Sequence, residues 1–341
     1  SVGVAMTDGK GDRSKRPSQQ EVRDAYVHVT ERRKDGIVIS GVKAIITGAP
    51  YMHEFLVMPC RRMQEDDKDF TVACAVPVDA EGITIVARPA GRPENPAAKM
   101  SAKFAQAVGV AHFDNVFVPY DKVFIDGEIE EAHIMTTHYA THHRHSCIGA
   151  RAGFGDLLIG AGAMMAEANG LDVEKKGHMR EKMVDLIKIT EGFYACGIAA
   201  STMGVHDEAG NFRPDQIYSN IGKLLLANQI YDMHRLAHDL SGGLVVALPG
   251  PDEDHNPATA AVLQDVLRGS PDVTYEHRAN VARFIEDLTA SETGGWYSVI
   301  SLHGGGSPEA MKLEILRNYN VQARRDLVQA LFDRNALELG K

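Results

Sequence analysis

The residues best suited to chemistry lie in one histidine-rich segment, His142-His143-Arg144-His145-Ser146-Cys147. His138, His142 and His145 are spaced i, i+4, i+7, so on a helix they could share one face and bind a metal. The spacing fixes no acidic or thiolate ligand beside them, and clustered histidines are more often hydrogen-bonded or exposed. Cys147 could be a nucleophile, but no separate feature marks a base for it, which favours a buried, inert thiol. We therefore predict no metal site here.

Two segments near the start of the chain could bind a phosphate or the edge of a ring. In the segment Thr7–Ser14, two glycines permit a tight turn with exposed amides, while Lys10 and Arg13 can neutralise a phosphate. A solvated turn is the alternative interpretation. In the segment Ala44–Pro50, a predicted strand ends at Thr47, whose hydroxyl could bond a heteroaromatic ring at a barrel rim. A plain strand end followed by a turn is the alternative there.

Two glycine-rich segments lie in the second half of the chain. Asp239–Leu244 contains Gly242 and Gly243, which predict either a helix C-cap or a loop whose amides meet a dinucleotide. His303–Pro308 precedes a predicted helix with Pro308 in its first turn, and free amides at such a start attract anions. Neither segment has the spacing of a Walker loop or a Rossmann fingerprint.

The elements that must position these residues change in character near residue 125. Before that point, short runs rich in Val, Ile, Phe and Thr predict a small barrel or sandwich. These runs are Val22–Thr30, Gly36–Thr47, Phe55–Met58, Phe70–Pro77, Ile83–Ala87 and Val108–Val118. After residue 133 the apolar spacing is helical. Apolar helix faces are predicted at Val281, Phe284, Ile285 and Leu288, and again at Val262, Leu263, Val266 and Leu267.

Composition limits the classes of partner. The formal net charge of −10 argues against nucleic acid or an anionic membrane as the main partner. No run of residues has the length of a membrane span, and no signal peptide is visible. Four widely spaced cysteines favour reduced thiols in a cytoplasmic protein. The chain begins at Ser1 rather than Met, so we expect that residues precede it in a longer product.

In this order, the segments resemble the flavoprotein family of 4-hydroxyphenylacetate 3-hydroxylase and 4-hydroxybutyryl-CoA dehydratase. The match rests on Met6–Arg13, Asp35–Gly48, Phe113–Pro119, His143-Arg144-x-Ser146, Tyr194–Ala199, Ser241–Gly243 and His303–Pro308. The resemblance implies an α+β, acyl-CoA dehydrogenase-like fold, with a β-barrel flavin-binding domain over residues 1–125 and a helical bundle over residues 133–341. The family's N-terminal helical domain would lie before Ser1.

The resemblance also implies the cofactor and its ligands. FAD would be bound by Lys10, Gly11, Asp12, Arg13, Thr47, Gly242, Gly243, Gly304, Gly305, Gly306 and Ser307. The Gly242-Gly243 loop would reach the flavin across a subunit contact, which implies a homo-oligomer, a tetramer or a dimer. His143 would be the catalytic residue. A small-molecule substrate and a flavin reductase are the expected partners.

The resemblance leaves two activities open. The dehydratases hold an iron–sulfur cluster with three cysteines and one histidine; His143 matches the histidine, but Ala150 stands at a cysteine position. The first hypothesis is therefore a monooxygenase that uses reduced flavin to hydroxylate a phenolic or other planar substrate. The alternative is a cluster-free relative of the dehydratase that acts on an acyl-CoA. A third hypothesis is a flavin-binding subunit that needs a partner to supply the N-terminal helical domain.

Overall fold

The alternating Val and Ile residues of Gly36–Thr47 form one continuous strand, as the sequence predicts. The computed structural model describes residues 1–90 and 100–333. Residues 334–341 of the predicted helical domain lie outside this description. The described chain forms two compact units. The first unit comprises Ser1–Ala140, Met164–Asp172 and Ser241–Tyr297, and the second comprises Thr141–Ala163, Val173–Leu240 and the described residues from 298 onward.

Two four-stranded sheets build the strand region of the first unit. The strands are β1 (Val2–Ala5), β2 (His28–Arg32), β3 (Gly36–Thr47), β4 (Glu54–Val57), β5 (Val72–Pro77), β6 (Ile83–Arg88), β7 (Val108–Pro119) and β8 (Val123–Asp126). One sheet has the order β1-β4-β5-β8, and the other has the order β2-β3-β7-β6. The β1–β4 pair is parallel, and every other pair in these two sheets is antiparallel.

The described strands do not close into the predicted barrel. Neither end strand of one sheet pairs with an end strand of the other. Instead, both sheets bury apolar side chains in one core, among them Ile37, Ile39, Phe55 and Phe113. Face-to-face packing hides this apolar surface without hydrogen bonds between the end strands, so the region is an open pair of packed sheets.

Three strand predictions need correction. The predicted strand Val22–Thr30 starts instead at His28, because Arg23–Ala25 forms a 3-10 turn with polar, exposed residues before it. Strands β1 and β8 were not predicted. Each has only four residues, too few for an alternating pattern to stand out, and each is held by its pairing partner.

Helices dominate the chain after residue 128. A short helix, α1 (Ser101–Phe104), lies before that point. The later ones are α2 (Ile129–Ala168), α3 (Gly177–Thr202), α4 (Gln216–Ser241), α5 (Leu244–Ala247), α6 (Ala260–Val266), α7 (Tyr275–Thr289), α8 (Glu292–His303), α9 (Pro308–Asn318) and α10 (Val321–Asp333). A two-residue hairpin, β9 (Val205–His206) with β10 (Phe212–Arg213), links α3 and α4. Among the described residues, no helix combines the length and the apolar character that crossing a membrane requires.

The predicted helix faces have different outcomes. In α7, Val281, Ile285 and Leu288 are buried, as their spacing predicts. In α6, Val262 is 60% exposed and Val266 is 71% exposed, so the apolar face predicted there is wrong. The helix has seven residues and no buried one, because its length is too short to bring a repeating face against the core.

Candidate functional site

Helix α2 places the histidine motif within the second unit. His143, Cys147 and Arg151 are spaced i, i+4, i+8, so the helical repeat puts them along one side. The Cys147 sulfur lies 3.6 Å from His143 Nδ1. The imidazole tautomer decides whether the thiol or the ring nitrogen donates in this contact. The arrangement therefore supplies a base beside Cys147, which the sequence alone did not indicate.

Burial determines the charge of this pair. It lowers the pKa of His143, and the positive charges of Lys223, Arg144 and Arg151 lower it further. The imidazole is consequently neutral at neutral pH. Burial also raises the pKa of the Cys147 thiol, although Lys223 and Arg151 oppose that shift. Cys147 is thus a protonated thiol, in line with the inert thiol that the sequence favoured.

The glycine loop after α8 lies against His143 and Arg144. A Cβ atom on Gly305 would lie 3.0 Å from His143 Nδ1 and 3.0 Å from Arg144 Cγ. Arg144 donates from Nε to the Gly305 carbonyl at 2.8 Å and from Nη1 to Asn220 Oδ1 at 2.6 Å. Gly305 has φ of 77°, which a residue with a Cβ atom rarely adopts. The structure therefore brings the predicted catalytic histidine and part of the predicted cofactor loop together.

Ser307 ends that loop and begins α9. Its hydroxyl accepts a hydrogen bond from the Ala310 amide at 3.3 Å, and Pro308 occupies the first turn. This is the helix start that the sequence predicted. Gly304 approaches His143 from the other end of the loop, because its Cβ atom would lie 3.7 Å from His143 Cε1.

Lys223 was not predicted as a site residue, yet it is fully buried in α4. Its ammonium donates to the Ser301 carbonyl, and Arg151 Nε donates to the Ser301 hydroxyl at 2.7 Å. Burial, together with the nearby Arg151 and Arg144 charges, lowers the pKa of Lys223 to about 8. A signal existed in the sequence, since a lone lysine interrupts the apolar run Ile221–Leu226. Only the fold shows that it lies among other cations.

The two other histidines of the motif, His142 and His145, have different surroundings. His142 is exposed, and His145 Nε2 lies 2.9 Å from the Ser201 hydroxyl and 3.2 Å from the Gly197 carbonyl. These contacts tie α2 to α3. Across the part of the chain that the structure describes, no group of three His, Cys, Asp or Glu residues is arranged to hold a metal ion.

The first unit contains the predicted phosphate-binding loop. Lys10 and Gly11 both have positive φ, 69° and 49°, which makes the turn tight. Asp12 is exposed, and its carboxylate accepts from the Ser14 amide at 3.0 Å and from the Ser14 hydroxyl at 2.7 Å. The Ser14 hydrogen bonds lower the pKa of Asp12. Gln20 also braces the loop, since its Oε1 accepts from the Asp12 amide at 2.9 Å.

Three side chains of this unit are available to a ligand. Among the described residues, Lys10 and Arg13 form no ion pair, and the exposed Thr47 hydroxyl forms no hydrogen bond. The loop is fixed to the strand that carries Thr47, because the Ala44 amide donates to the Thr7 carbonyl at 2.6 Å. Two cations and a ring-edge donor therefore project from one braced region, a donor set that fits an anionic dinucleotide.

Gly242 and Gly243 follow the last residue of α4. Gly242 has φ of 79°, so it provides the left-handed residue that commonly follows a helix end. A Cβ atom on either glycine would meet nothing within 4 Å. The C-cap interpretation is confirmed, and the ligand contact of this loop stays a prediction.

Comparisons with known proteins agree along the chain. The family described as 4-hydroxyphenylacetate 3-hydroxylase C terminal matches residues 132–333, and its N-terminal counterpart matches residues 1–125. The 4-hydroxybutyryl-CoA dehydratase/vinylacetyl-CoA-Delta-isomerase of Clostridium aminobutyricum is 35% identical over 97% of this chain and 70% of its own length.

Solved structures give the same picture of the fold. An oxygen-tolerant archaeal 4-hydroxybutyryl-CoA dehydratase from N. maritimus superposes with a TM-score of 0.91 at 34% identity, over 97% of this chain and 67% of that one. The oxygenase component of 4-hydroxyphenylacetate 3-monooxygenase, complexed with FAD and 4-hydroxyphenylacetate, gives 0.86 at 22% identity over 100% and 71%. Glutaryl-coenzyme A dehydrogenase gives 0.58 at 14% identity over 92% and 64%. The predicted acyl-CoA dehydrogenase-like fold is confirmed, and this chain spans about two thirds of the length of these proteins.

Proposed function

Because this chain belongs to the 4-hydroxyphenylacetate 3-hydroxylase family, we propose that it is an FAD-dependent enzyme that hydroxylates a phenolic or other planar substrate with reduced flavin. The family membership that the sequence motifs suggested is thereby confirmed. Relatives include the oxygenase component of a 4-nitrophenol monooxygenase, a 2,4,6-trichlorophenol monooxygenase and an FADH2-dependent monooxygenase. The proposal for this chain draws on them and on the geometry around His143.

The neutral, half-buried His143 is the observation that carries the proposal. Hydroxylation of a phenol is promoted when its hydroxyl proton is removed, because the phenolate ring is richer in electrons. A neutral imidazole can accept that proton, whereas a protonated one could not. Burial keeps the pKa of His143 below its ordinary value, so the base is in the correct state at neutral pH. His143 is therefore proposed as the catalytic base.

The cofactor ligands in the first unit are proposed from their free donors. Lys10 and Arg13 would neutralise the pyrophosphate of FAD, and the Thr47 hydroxyl would bond the edge of the ring system. Gly11 and Asp12 shape the loop that carries the two cations. Gly242 and Gly243 would approach FAD through their amides. When bound, reduced FAD supplies two electrons to dioxygen, one atom of which becomes the new hydroxyl and the other water.

The Gly304–Ser307 loop is proposed as a ligand contact of the second unit. It has no side chain before Ser307, so its backbone can approach a flat ligand closely. Arg144 holds the loop in position, because its Nε donates a hydrogen bond to the Gly305 carbonyl. Cys147 would orient His143 through Nδ1, so that Nε2 receives the substrate proton.

Oxygen consumption tests the proposed activity. Purified protein is supplied with reduced FAD and a panel of phenols, and hydroxylated products are identified by mass spectrometry with labelled dioxygen. His143→Gln should lower kcat by about a hundredfold or more, the range expected for loss of a general base. His142→Gln is the matched control, since the neighbouring side chain is exposed and should leave kcat unchanged. Absence of labelled product across the panel would reject the hydroxylase.

One observation favours a second candidate, a cluster-free enzyme that isomerises or dehydrates an acyl-CoA. The dehydratase/isomerase of Clostridium aminobutyricum is 35% identical, above the 23% of a 4-hydroxyphenylacetate 3-monooxygenase oxygenase component. In this candidate His143 would remove a carbon-bound proton of the thioester. A change in the flavin spectrum on addition of acyl-CoA, with no oxygen uptake, would support it. Iron analysis would separate it from a cluster-containing dehydratase.

The assembly is a further part of the proposal. We propose a homo-oligomer, a tetramer or a dimer, in the cytoplasm, supplied with reduced flavin by a separate reductase. Light scattering of the purified protein would measure the oligomeric state. Activity with enzymatically reduced FAD, compared with chemically reduced FAD, would show whether a reductase suffices without direct contact.

A further inference from the structure

A buried carboxylate anchors the chain just after the Lys10–Arg13 loop. Asp67 is 0% exposed, and each of its two oxygens accepts hydrogen bonds. Oδ2 accepts from Arg16 Nε at 2.9 Å, from Arg16 Nη2 and from the Gln64 amide at 3.0 Å. Oδ1 accepts from the Ser18 hydroxyl at 2.8 Å and from the Ser18 amide at 3.1 Å. A buried carboxylate is stable when it is paired and fully hydrogen-bonded, and Asp67 meets both conditions.

Asp67 thereby clamps two segments of the first unit together. One comprises residues 10–18, which include the loop, and the other comprises residues 60–67. The two segments also meet directly, because Arg61 Nη1 lies 3.5 Å from the Lys15 carbonyl oxygen. A hydrogen bond of that length is weak, so the Arg61 guanidinium rests against the end of the loop without being committed there.

Arg61 differs from the other basic residues at this junction in lacking a carboxylate. Arg16 pairs with Asp67, and Lys15 lies 3.8 Å from the Asp12 carboxylate. Arg61 is half-buried, and among the described residues it forms no ion pair and uses one of its five N–H groups. A planar guanidinium with unused donors matches the oxygens of a phosphate.

From this placement, we propose that Arg61 is a third cationic ligand of the FAD pyrophosphate, beside Lys10 and Arg13, and that Asp67 is the positioning residue that joins the two segments. This inference rests on the cofactor site of the proposed function, and it adds two residues that no sequence motif had selected. A pyrophosphate offers several anionic oxygens, so it can accept from cations of both segments. Segments that are joined before FAD arrives lose less conformational freedom on binding.

Fluorescence titration of flavin-free protein with FAD tests the role of Arg61. Arg61→Gln should raise the Kd for FAD by about tenfold, as expected for the loss of one charge-assisted contact. Arg62→Gln is the matched control, because the neighbouring arginine is exposed and has no contact with the loop among the described residues. Its Kd should stay within about twofold of the wild-type value. Riboflavin, which has the same ring system but no phosphate, should bind the wild-type protein and Arg61→Gln equally.

Salt dependence separates a phosphate contact from bracing of the loop. Salt screens the attraction between exposed charges, so the ratio of the two Kd values, Arg61→Gln over wild type, should fall from about tenfold at about 50 mM NaCl to about threefold at about 500 mM. Bracing through the neutral Lys15 carbonyl involves no charge on the ligand. A ratio that stays constant with salt would therefore overturn the assignment of Arg61.

A double substitution tests Asp67. Asp67→Asn should raise the Kd for FAD by about tenfold in the wild-type background but by about threefold or less in the Arg61→Gln background, since a positioning residue acts through the group it positions. Asp254→Asn is the matched control outside the two segments, because Asp254 also binds an arginine, Arg283, at 2.8 Å. It should lower the urea midpoint and leave the Kd unchanged. Ser18→Ala, which removes the hydroxyl bond to Asp67, replaces Asp67→Asn if circular dichroism shows that the latter does not fold.

Three further outcomes would overturn the inference. One is a Kd for FAD in Arg61→Gln within about twofold of the wild-type value. Another is an equal rise in Arg61→Gln and Arg62→Gln, which would reflect the general surface charge. A third is an equal effect of Asp67→Asn with and without Arg61, which would make Asp67 a residue of the fold alone. In each case the wild-type protein still binds FAD, whereas a wild-type protein that binds no FAD would reject the cofactor site of the proposed function itself.

Discussion

Two buried lysines, one in each unit, have opposite surroundings. Lys43 of β3 is 2% exposed and lies 2.6 Å from the Asp8 carboxylate. It also donates to the Met6 carbonyl at 3.0 Å and the Met58 carbonyl at 2.8 Å. Lys223 of α4 is 0% exposed and donates to one backbone carbonyl. The two lysines therefore differ in whether a carboxylate compensates the buried charge.

The Asp8–Lys43 pair joins the Lys10–Arg13 loop, which is the proposed FAD contact of the first unit, to the sheet. Asp8 forms an isolated bridge with Lys43, and its carboxylate also accepts from the Val27 amide at 3.2 Å. The turn containing Lys10 and Gly11 begins two residues later. The pair therefore fixes the point from which the proposed FAD loop leaves the strand region.

The largest effect is expected from breaking this pair. Lys43→Met leaves the Asp8 carboxylate buried without its counter-ion, so the free energy of unfolding should fall by about 3 to 5 kcal/mol. Urea denaturation followed by circular dichroism measures it. Lys122→Met, which removes a 44% exposed lysine 3.4 Å from Glu54, is the control and should cost less than about 1 kcal/mol. Equal losses in the two variants would remove the contrast between paired and unpaired buried charge.

Lys223→Met should change the free energy of unfolding in the opposite direction, toward greater stability. The wild-type protein keeps a cation in a site where burial lowers its pKa from 10.5 to about 8. Between those values the unfolded chain binds more protons than the folded chain, so the contribution of this group to the free energy of unfolding rises with pH. The rise totals roughly 3 kcal/mol from below pH 8 to above pH 10.5.

The variant lacks this pH-dependent contribution. At pH 7 it should be more stable than the wild-type protein by up to about 3 kcal/mol, and the difference should vanish above pH 10.5. Urea denaturation of both proteins at pH 7, 8.5 and 10 would measure the trend. Parallel stability curves over this range would show that Lys223 is not a buried, uncompensated cation.

Sequence patterns predict best where one element decides the outcome. Gly36–Thr47 is a strand with the predicted bounds because both of its faces are largely apolar, and Pro308 starts α9 because only its first turn tolerates proline. The strand pattern could not decide between the predicted barrel and the predicted sandwich, since closure depends on contacts between distant strands. The buried cations Lys223 and Arg144 likewise are seen to lie near His143 only when α2, α4 and the glycine loop are seen together.

Substitution in the Gly304–Ser307 loop should cause the next largest change in the free energy of unfolding. Gly305→Ala introduces a Cβ atom 3.0 Å from both His143 Nδ1 and Arg144 Cγ, at a φ of 77°. Gly210→Ala is matched, because Gly210 has φ of 83° but nothing within 4 Å of its Cβ position. Left-handed backbone should cost each variant about 1 to 2 kcal/mol, and crowding should cost Gly305→Ala about 1 kcal/mol more. Urea denaturation would show equal losses if the loop can move away freely.

The smallest effect is expected at Asp12, because its carboxylate is already committed to the loop. The two Ser14 hydrogen bonds that lower the pKa of Asp12 occupy its carboxylate within the loop. The Arg13 side chain, in contrast, has no ion-pair partner among the described residues. Asp12→Asn retains an oxygen that can accept both bonds, so the Kd for FAD should change by less than about threefold. Arg13→Gln removes a charge-assisted contact to phosphate and should raise that Kd by about tenfold. Fluorescence titration of FAD measures both values. If the Kd for FAD rises more in Asp12→Asn than in Arg13→Gln, the carboxylate that braces the loop also contributes to FAD binding. Paired charge would then not be purely structural at this loop.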